Sequence, residues 1–254
     1  MKARRQEDKQ ETSLNTLSRI CKFAYCSLTN STLSQRERVK HAFTLAEVLI
    51  TLGIIGVVAA MTMPTLIQKH QERVTVNKVK KFYSVMSQAQ LLAIKDHGYL
   101  DEWGIPDGIT KENAEKFMSY LKPYLKIAKD CGVSSGCLQY SGGAKNLNGN
   151  GYTWAYENNV AYYKMILVDG SYMWLRTVPN YCAYFDVVPD TCGALWIDIN
   201  GKNPPNTLGR DVFHFLIVKN SIKANITDDC NAQSRGWGCS SWILEKGNMD
   251  YLKK

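Results

Sequence analysis

The hydrophobic and polar positions of this chain divide it into four segments of different character. Residues 1–42 are polar and charged, and residues 43–64 are an apolar run that Pro64 closes. Residues 65–97 have apolar side chains at helical spacing, with lysine and arginine over much of the other face. Residues 98–254 mix short helical and alternating patterns with polar, glycine-rich turns. The pattern predicts a leader, an apolar helix, its amphipathic continuation and a globular domain.

One long helix is predicted over residues 43–97. The 21 residues from Phe43 to Met63 span about 30 Å at 1.5 Å per residue, which is the thickness of the hydrocarbon core of a bilayer. Because Pro64 lacks a backbone donor, we expect a kink there and not the end of the helix. Gly98 is a suitable C-cap. The first half of this helix is therefore a membrane-spanning candidate.

Beyond residue 98 the sequence predicts an α+β domain. A helix interrupted near Pro123 is expected within residues 111–129. The Asp169-Gly170 pair is typical of a hairpin turn. Alternating apolar and aromatic positions predict strands over residues 152–157, 160–168, 171–176, 194–199 and 212–218. This order favours an N-terminal helix that packs one face on a C-terminal antiparallel sheet.

The positive charge of the chain is concentrated before the apolar run. The net charge is +8, and residues 1–42 hold nine Lys and Arg against four Asp and Glu, a net of +5. Only +3 is left for residues 43–254, so the distribution argues against a nucleic-acid partner. It instead predicts a cytoplasmic N-terminus and an exported C-terminal domain, because positive charge is retained on the cytoplasmic side.

Cysteine usage also favours export. Cys21 and Cys26 lie in the leader, and the other six cysteines follow the apolar run. Disulfides persist outside the cytoplasm. Six cysteines allow fifteen connectivities. We prefer local pairing because each pair flanks a loop rich in Gly, Ser, Pro or Asp, which gives Cys131–Cys137, Cys182–Cys192 and Cys230–Cys239. The spacings lack the CxxC pairs of zinc sites, so no metal is expected there.

The apolar run contains a single charged residue, Glu47. Placing an ionised carboxylate in hydrocarbon costs roughly several kcal/mol unless the charge is paired. Glu47 therefore indicates a partner and an assembly role for this helix. The alternative is that its side chain reaches the lipid headgroups.

The segment Phe43–Glu47, the unbroken apolar helix after it and Pro64 resemble the class III signal of type IV pilins and type II secretion pseudopilins. The resemblance implies that a prepilin peptidase cuts between Ala42 and Phe43 and methylates Phe43. Glu47 then matches the family's glutamate at the fifth mature position and would pair with the Phe43 amine of the next subunit. The chain departs from the family at Ala42, where glycine is usual.

The resemblance also implies partners and a location. The partners are the prepilin peptidase, an inner-membrane assembly platform with its cytoplasmic ATPase, and copies of the chain or related pilin subunits; no cofactor is implied. The protein would cross the inner membrane once through residues 43–63 and later join a periplasmic or cell-surface filament. Gly53, Gly56 and Ala59 form a small-residue stripe suited to close helix approach, although glycine is also generally common in membrane helices.

The segment from Asp198 to Phe213 is dense in oxygen-bearing side chains and looks like a segment of pseudopilin-like C-terminal domains. Asp198, Asn200 and Asp211 are candidate Ca²⁺ ligands, because this hard cation prefers carboxylate and carbonyl oxygens. The EF-hand spacing is absent, and a turn held by Asx hydrogen bonds between two strands explains the same residues. We prefer the turn.

The sequence offers no arrangement typical of an enzyme. The four histidines are scattered, and no nucleophile elbow, zinc-protease motif or phosphate-binding loop is present. We therefore predict a structural subunit of a type IV pilus or a type II secretion pseudopilus, which is polymerised through its N-terminal helix. Two alternatives stay open: a single-pass protein that carries an exported enzyme or binding domain, and a secreted protein cut after Ala60.

Overall fold

The structure, a computed structural model, describes residues 44–138, 144–151, 156–185, 187–226 and 230–253. Residue contacts divide the chain into two units, Met1–Gly56 and Val57–Lys254. The described residues form helices α1 (Leu45–His97), α2 (Lys111–Leu121) and α3 (Cys239–Lys246). Short 3₁₀ turns lie at Leu100–Glu102, Lys122–Tyr124, Tyr156–Asn158 and Asp250–Lys253.

One antiparallel sheet forms the second layer of the domain. The strands are β1 (Ile127–Gly132), β2 (Tyr163–Leu167), β3 (Tyr172–Thr177), β4 (Ala183–Phe185), β5 (Val188–Asp198), β6 (Val212–Val218) and β7 (Ser221–Ala224). Their order in the sheet is β1-β2-β3-β5-β6-β7, and β4 pairs with β5. The predicted α+β architecture, a long apolar N-terminal helix with a C-terminal antiparallel sheet, is confirmed.

Helix α1 ends where the sequence predicts. Gly98 follows His97 with φ +80°, a left-handed conformation that a Cβ atom disfavours. Its N–H donates to the carbonyl oxygen of Ile94 at 2.9 Å, which satisfies one of the last free carbonyls of the helix. Gly98 is therefore a C-cap of the left-handed type.

The buried face of α1 starts at Val76, although the apolar side chains at helical spacing start at Leu66. It contains Val76, Val79, Phe82, Met86, Ala89, Gln90 and Ala93. Phe82 packs against Phe215 of β6 with ring centroids 5.8 Å apart, and the Gln90 side-chain amide donates to the Val218 carbonyl at 2.6 Å. Leu66 and Ile67 share the helical spacing but are exposed. Only the part of α1 from Val76 onward therefore packs on the sheet.

The prediction of a helix over residues 111–129 is wrong in its second half. Helix α2 ends at Leu121, a 3₁₀ turn with Pro123 follows, and residues 127–132 form β1. Pro123 has no N–H to donate, so the α-helical hydrogen-bond pattern cannot continue through it and gives way to the 3₁₀ turn. Strand β1 then pairs with β2, and local periodicity cannot reveal this pairing because the partners, from Gly132↔Lys164 to Ile127↔Leu167, are 32 to 40 residues apart in the chain.

The strand predictions are confirmed in the centre of the sheet and fail at its margins. The Asp169-Gly170 turn joins β2 and β3, which pair in an antiparallel ladder, and β6 has the predicted bounds. The prediction of a strand over residues 152–157 is wrong at residues 156–157, the part of this range that the structure describes. Tyr156–Asn158 is a 3₁₀ turn, and residues 152–155 lie outside the described residues. The short strands β4 and β7 escaped prediction.

The sheet face opposite α1 carries a layer of aromatic side chains. Tyr156 stacks on Trp174 at 4.0 Å, and His214 lies 4.5 Å from Trp196 and 4.7 Å from Trp237 between ring centroids. His214 is fully buried, and its Nδ1 lies 2.6 Å from the Asn225 side-chain nitrogen. Because both faces are covered, β6 is buried at every position, which explains its nearly continuous apolar sequence.

Lys164 of β2 is a buried cation within this layer. Its side chain has no exposed surface. Its Nζ donates to the backbone carbonyl oxygens of Val133 at 3.1 Å, Glu157 at 3.1 Å, Asn159 at 3.2 Å and Tyr156 at 3.4 Å. Burial lowers the pKa of Lys164, and the charge of Glu157 opposes that shift. This one side chain therefore ties the sheet to two separate covering segments.

Three disulfides fasten the loops of the domain. They join Cys131 to Cys137, Cys182 to Cys192, and Cys230 to Cys239. The first closes the loop after β1, the second connects β5 to the segment before β4, and the third fixes a loop to the start of α3. Cys21 and Cys26 lie outside the described residues.

Candidate functional site

The start of α1 is organised around Thr44 and Glu47. The Thr44 backbone N–H donates to Glu47 Oε2 at 2.8 Å, and the Glu47 N–H donates to Thr44 Oγ1 at 3.2 Å. The Thr44 hydroxyl also donates to Glu47 Oε2 at 3.0 Å. These reciprocal bonds are a capping box, which satisfies free backbone donors at a helix N-terminus. The sequence Thr-Leu-Ala-Glu from Thr44 to Glu47 carries the signature of this box, a local signal that Glu47 also has a role at the helix start.

The capping box fixes the direction of the Glu47 carboxylate. Because Oε2 accepts a bond from the Thr44 N–H, the carboxylate points back toward the N-terminal end of the helix. Phe43 and Ala42, the predicted methylation and cleavage residues, lie outside the described residues. Their roles therefore stay predictions.

The helix after Glu47 is an apolar surface that nothing in the described part of the chain covers. Every residue from Thr44 to Ile67 is exposed except Ala59, which is half-buried. Among the described residues, α1 is the one helix that is long and apolar enough to cross a membrane, and its most apolar window is not buried in the protein. An exposed apolar surface of this extent is typical of a site that binds lipid or another protein.

Gly53 and Gly56 have open space where a side chain would project. A Cβ atom added to either would meet no atom within 4 Å. No packing contact in the described part of the chain therefore calls for glycine at these positions. A close approach by a second helix stays a prediction for this stripe.

Pro64 lies inside α1, which runs from Leu45 to His97 on both sides of it. Two hydroxyl groups near the proline bond to helix carbonyls: Thr62 Oγ1 donates to Val58 and Thr65 Oγ1 donates to Thr62, both at 2.9 Å. Such bonds back to the preceding turn are typical of Ser and Thr in apolar helices. Pro64 thus lies within the helix and does not end it.

The three candidate calcium ligands lie together, in a turn. Asp211 Oδ1 accepts from the Thr207 N–H at 2.6 Å, and Oδ2 accepts from the Asn206 N–H at 2.7 Å and the Asn200 side chain at 3.1 Å. Asp198 Oδ1 accepts from the Asn200 N–H at 3.0 Å. N–H donors thus occupy both oxygens of Asp211. In the described residues, no group of three His, Cys, Asp or Glu side chains is placed to hold a metal ion.

Replacing Asp198 by asparagine should flatten the pH dependence of stability. Burial, with the charge of Asp211 adding to it, raises the pKa of Asp198 to about 9. This pKa lies above the unfolded value, so the stability from Asp198 is complete below about pH 4 and is lost as the pH rises toward about 9. From about pH 5 to about pH 8, wild type should lose about 1 kcal/mol or more beyond the loss of Asp198→Asn.

Chemical denaturation followed by tryptophan fluorescence at several pH values measures this difference. Asp190→Asn, at an exposed aspartate of β5, is the matched control and should behave as wild type. The same titration tests for calcium, because a Ca²⁺ site would give a calcium-dependent rise in wild-type stability that Asp198→Asn lacks. We expect no such rise.

Comparison with known families supplies two partial matches. The family model described as the prokaryotic N-terminal methylation motif matches residues 38–63, which include the capping box and the exposed apolar helix. A family of unknown function (DUF6613) matches residues 65–141. No curated protein and no solved structure matches the chain.

Proposed function

We propose that this chain, which carries the N-terminal methylation motif of type IV pilins and pseudopilins, is a structural subunit of a type IV pilus-like or type II secretion pseudopilus filament. The observation that carries the proposal is the coincidence of that motif with an uncovered apolar helix. Large side chains such as Leu45, Ile55 and Met61 are 78%, 63% and 73% exposed. A bilayer buries this surface in the precursor, and neighbouring helices bury it in the filament.

Processing starts the assembly in this proposal. Prepilin peptidase cuts between Ala42 and Phe43 on the cytoplasmic side and methylates the new Phe43 amine. The capping box already directs the Glu47 carboxylate toward that end of the helix. The carboxylate then accepts the amine of an adjacent subunit, which neutralises both charges in a medium where neither is stable alone. The contact also sets the axial register between subunits.

The outer domain serves as a passive, exported module. Three disulfides close its loops, which suits an oxidising compartment. The assembly platform and its ATPase, together with related pilin subunits, are the partners that the proposal implies. The domain has no catalytic role in the proposed filament, where its function is to be displayed on the surface.

The mature N-terminus is the direct test. Mass spectrometry of the protein purified from its native membrane or filament should give a methylated Phe43 as the first residue. Ala42→Gly, which restores the family's usual residue, should be processed at least as completely. Ala42→Leu should accumulate precursor, since the peptidase favours a small residue before the cut.

Two other results would each support an alternative. A protein that starts at Met1 and functions normally is a single-pass protein with an exported binding or enzymatic domain. A protein that starts at Met61 is a secreted protein that has lost the helix. Either result would contradict the filament proposal.

A further inference from the structure

A groove lies between α1 and the loop that joins β5 to β6. It has a volume of about 790 Å³ and is closed on one side by the C-terminal turn. Three of its lining residues are basic, namely His70 and Lys78 of α1 and Arg210 of the loop. The apolar side chains of Val74, Pro205 and Leu252 also line it. The groove thus combines cationic and apolar chemistry.

The two acidic residues of the groove are already engaged. Glu72 Oε2 lies 3.4 Å from Lys253 Nζ, and its Oε1 accepts from the Gln68 side chain at 3.0 Å. Asp211 is occupied by the N–H donors of its own turn. Arg210, in contrast, is exposed, and no carboxylate of the described residues forms an ion pair with it. The groove therefore presents a guanidinium group that can bind an anion.

In the membrane-inserted precursor proposed above, the groove would open at the depth of the lipid headgroups. Its first helical residue, Gln68, lies five residues after Met63, the end of the apolar run, which is about 8 Å along the helix axis. The headgroup layer on each side of the hydrocarbon core is about 5–8 Å thick. Leu66 and Ile67, which are 69% and 54% exposed, continue the apolar surface from the membrane to this point.

We propose that this groove binds the anionic headgroup of a phospholipid in the exported leaflet. Arg210 makes a charge-assisted contact with the phosphate, because a guanidinium matches two phosphate oxygens. Lys78 holds the loop in place, since its Nζ donates to the Ile199 carbonyl at 2.7 Å. The acyl chains run back along Leu66 and Ile67 into the bilayer. The inference rests on the proposed membrane-inserted precursor and adds a specific lipid contact to it.

A lipid suits this groove better than an acidic segment of a neighbouring protein. The apolar path beside the cationic end matches a molecule that has both a charged head and acyl chains. Lys69 and Arg73, exposed on the opposite side of α1, add positive charge at the same depth. Cations at this depth are attracted to an anionic bilayer surface.

The test uses the full-length chain in bilayers of phosphatidylcholine mixed with phosphatidylglycerol. After mild detergent extraction, native mass spectrometry counts the phospholipids that stay bound. Wild type should retain phosphatidylglycerol in excess of its share of the bilayer, and Arg210→Gln should lower its occupancy by about tenfold, the effect of one charge-assisted contact. Arg210→Lys should keep part of the excess. Lys202→Gln, an exposed lysine of the same loop outside the groove, is the matched control and should keep all of it.

All four proteins share the basic leader, which has a net charge of +5 over residues 1–42, so any anionic lipid that it retains is common to them and only the differences between them count. An Arg210→Gln protein that retains the wild-type excess, or a Lys202→Gln protein that loses as much, overturns the inference. Loss of filament assembly in Arg210→Gln without loss of lipid also overturns it and assigns the groove to a neighbouring subunit. Flotation of the vesicles checks that the protein is inserted, and a wild-type protein that does not float with them contradicts the proposed function itself. A wild-type protein that inserts but retains no excess of phosphatidylglycerol contradicts only the lipid site.

Discussion

Replacing Glu47 by glutamine should abolish filament assembly while the start of α1 stays intact. Glutamine accepts and donates hydrogen bonds at the third position of a capping box, so the bonds to Thr44 can be kept. What disappears is the negative charge that would pair with the Phe43 amine of the next subunit. An unpaired ammonium group in hydrocarbon is unfavourable, so subunits should insert and be processed without joining.

The measurement is the yield of sheared filaments relative to the membrane-bound pool, with N-terminal mass spectrometry to verify processing. We expect the filament yield of Glu47→Gln to be lower by about a hundredfold. This factor corresponds to about 3 kcal/mol for the loss of a buried charge pair at each interface. Normal filament yield from this variant would show that the carboxylate has no electrostatic role in assembly.

Thr44→Val separates the cap from the charge. It keeps nearly the same side-chain volume and the Glu47 carboxylate but removes the hydroxyl that accepts the Glu47 N–H. Loss of an N-cap side chain costs about 1 kcal/mol of helix stability, so filaments should form in reduced amount. Equal loss in Thr44→Val and Glu47→Gln would assign both effects to the helix start and would remove the support for intersubunit pairing.

The features that the sequence predicted well are those that depend on neighbours along the chain. The apolar run, its single carboxylate at Glu47 and the C-cap at Gly98 are local patterns, and the helix that they predict ends at the expected residue. The same holds for the β2–β3 hairpin, where Asp169 and Gly170 supply the turn chemistry. The family signal in residues 38–63 is likewise local, and the comparison with known families confirms it.

The features that escaped prediction depend on contacts between distant segments. Strand β1 has little apolar alternation and exists because β2 pairs with it. The aromatic layer joins residues from 156 to 237, so no window of the sequence contains it. A lysine in a strand reads as a solvent-facing position, and nothing near Lys164 indicates that loops fold over it.

The buried face of α1 was predicted only in part, again because it depends on contacts between distant segments. Periodicity alone marks Leu66 and Ile67 as members of a buried face, but the sheet reaches only the part of the helix from Val76 onward. Apolar spacing predicts that a face will be covered without specifying what covers it. In the proposed filament, the surface near residues 66–67 is covered by lipid first and by neighbouring subunits later.

Replacing Lys164 by methionine should destabilise the domain by about 3–5 kcal/mol, the range for an unsatisfied buried network. Methionine fills a similar volume, so the packing loss is small. The four backbone carbonyls that now accept from Nζ would, however, be left without that donor inside the protein. They belong to the loop after β1 and to the segment around Tyr156, so both should detach from the aromatic layer.

Guanidinium denaturation of the full-length protein in detergent, followed by tryptophan fluorescence under non-reducing conditions, measures this loss. Lys223→Met, at an exposed lysine of β7, controls for the removal of one positive charge and should change stability by less than about 0.5 kcal/mol. Because Trp174 stacks under Tyr156, in the segment that Lys164 holds, the folded Lys164→Met protein should also emit at longer wavelength and be quenched more readily by iodide. A variant with wild-type stability and unquenched tryptophans would mean that water replaces the ammonium group without cost, and that the buried cation does not hold the covering loops.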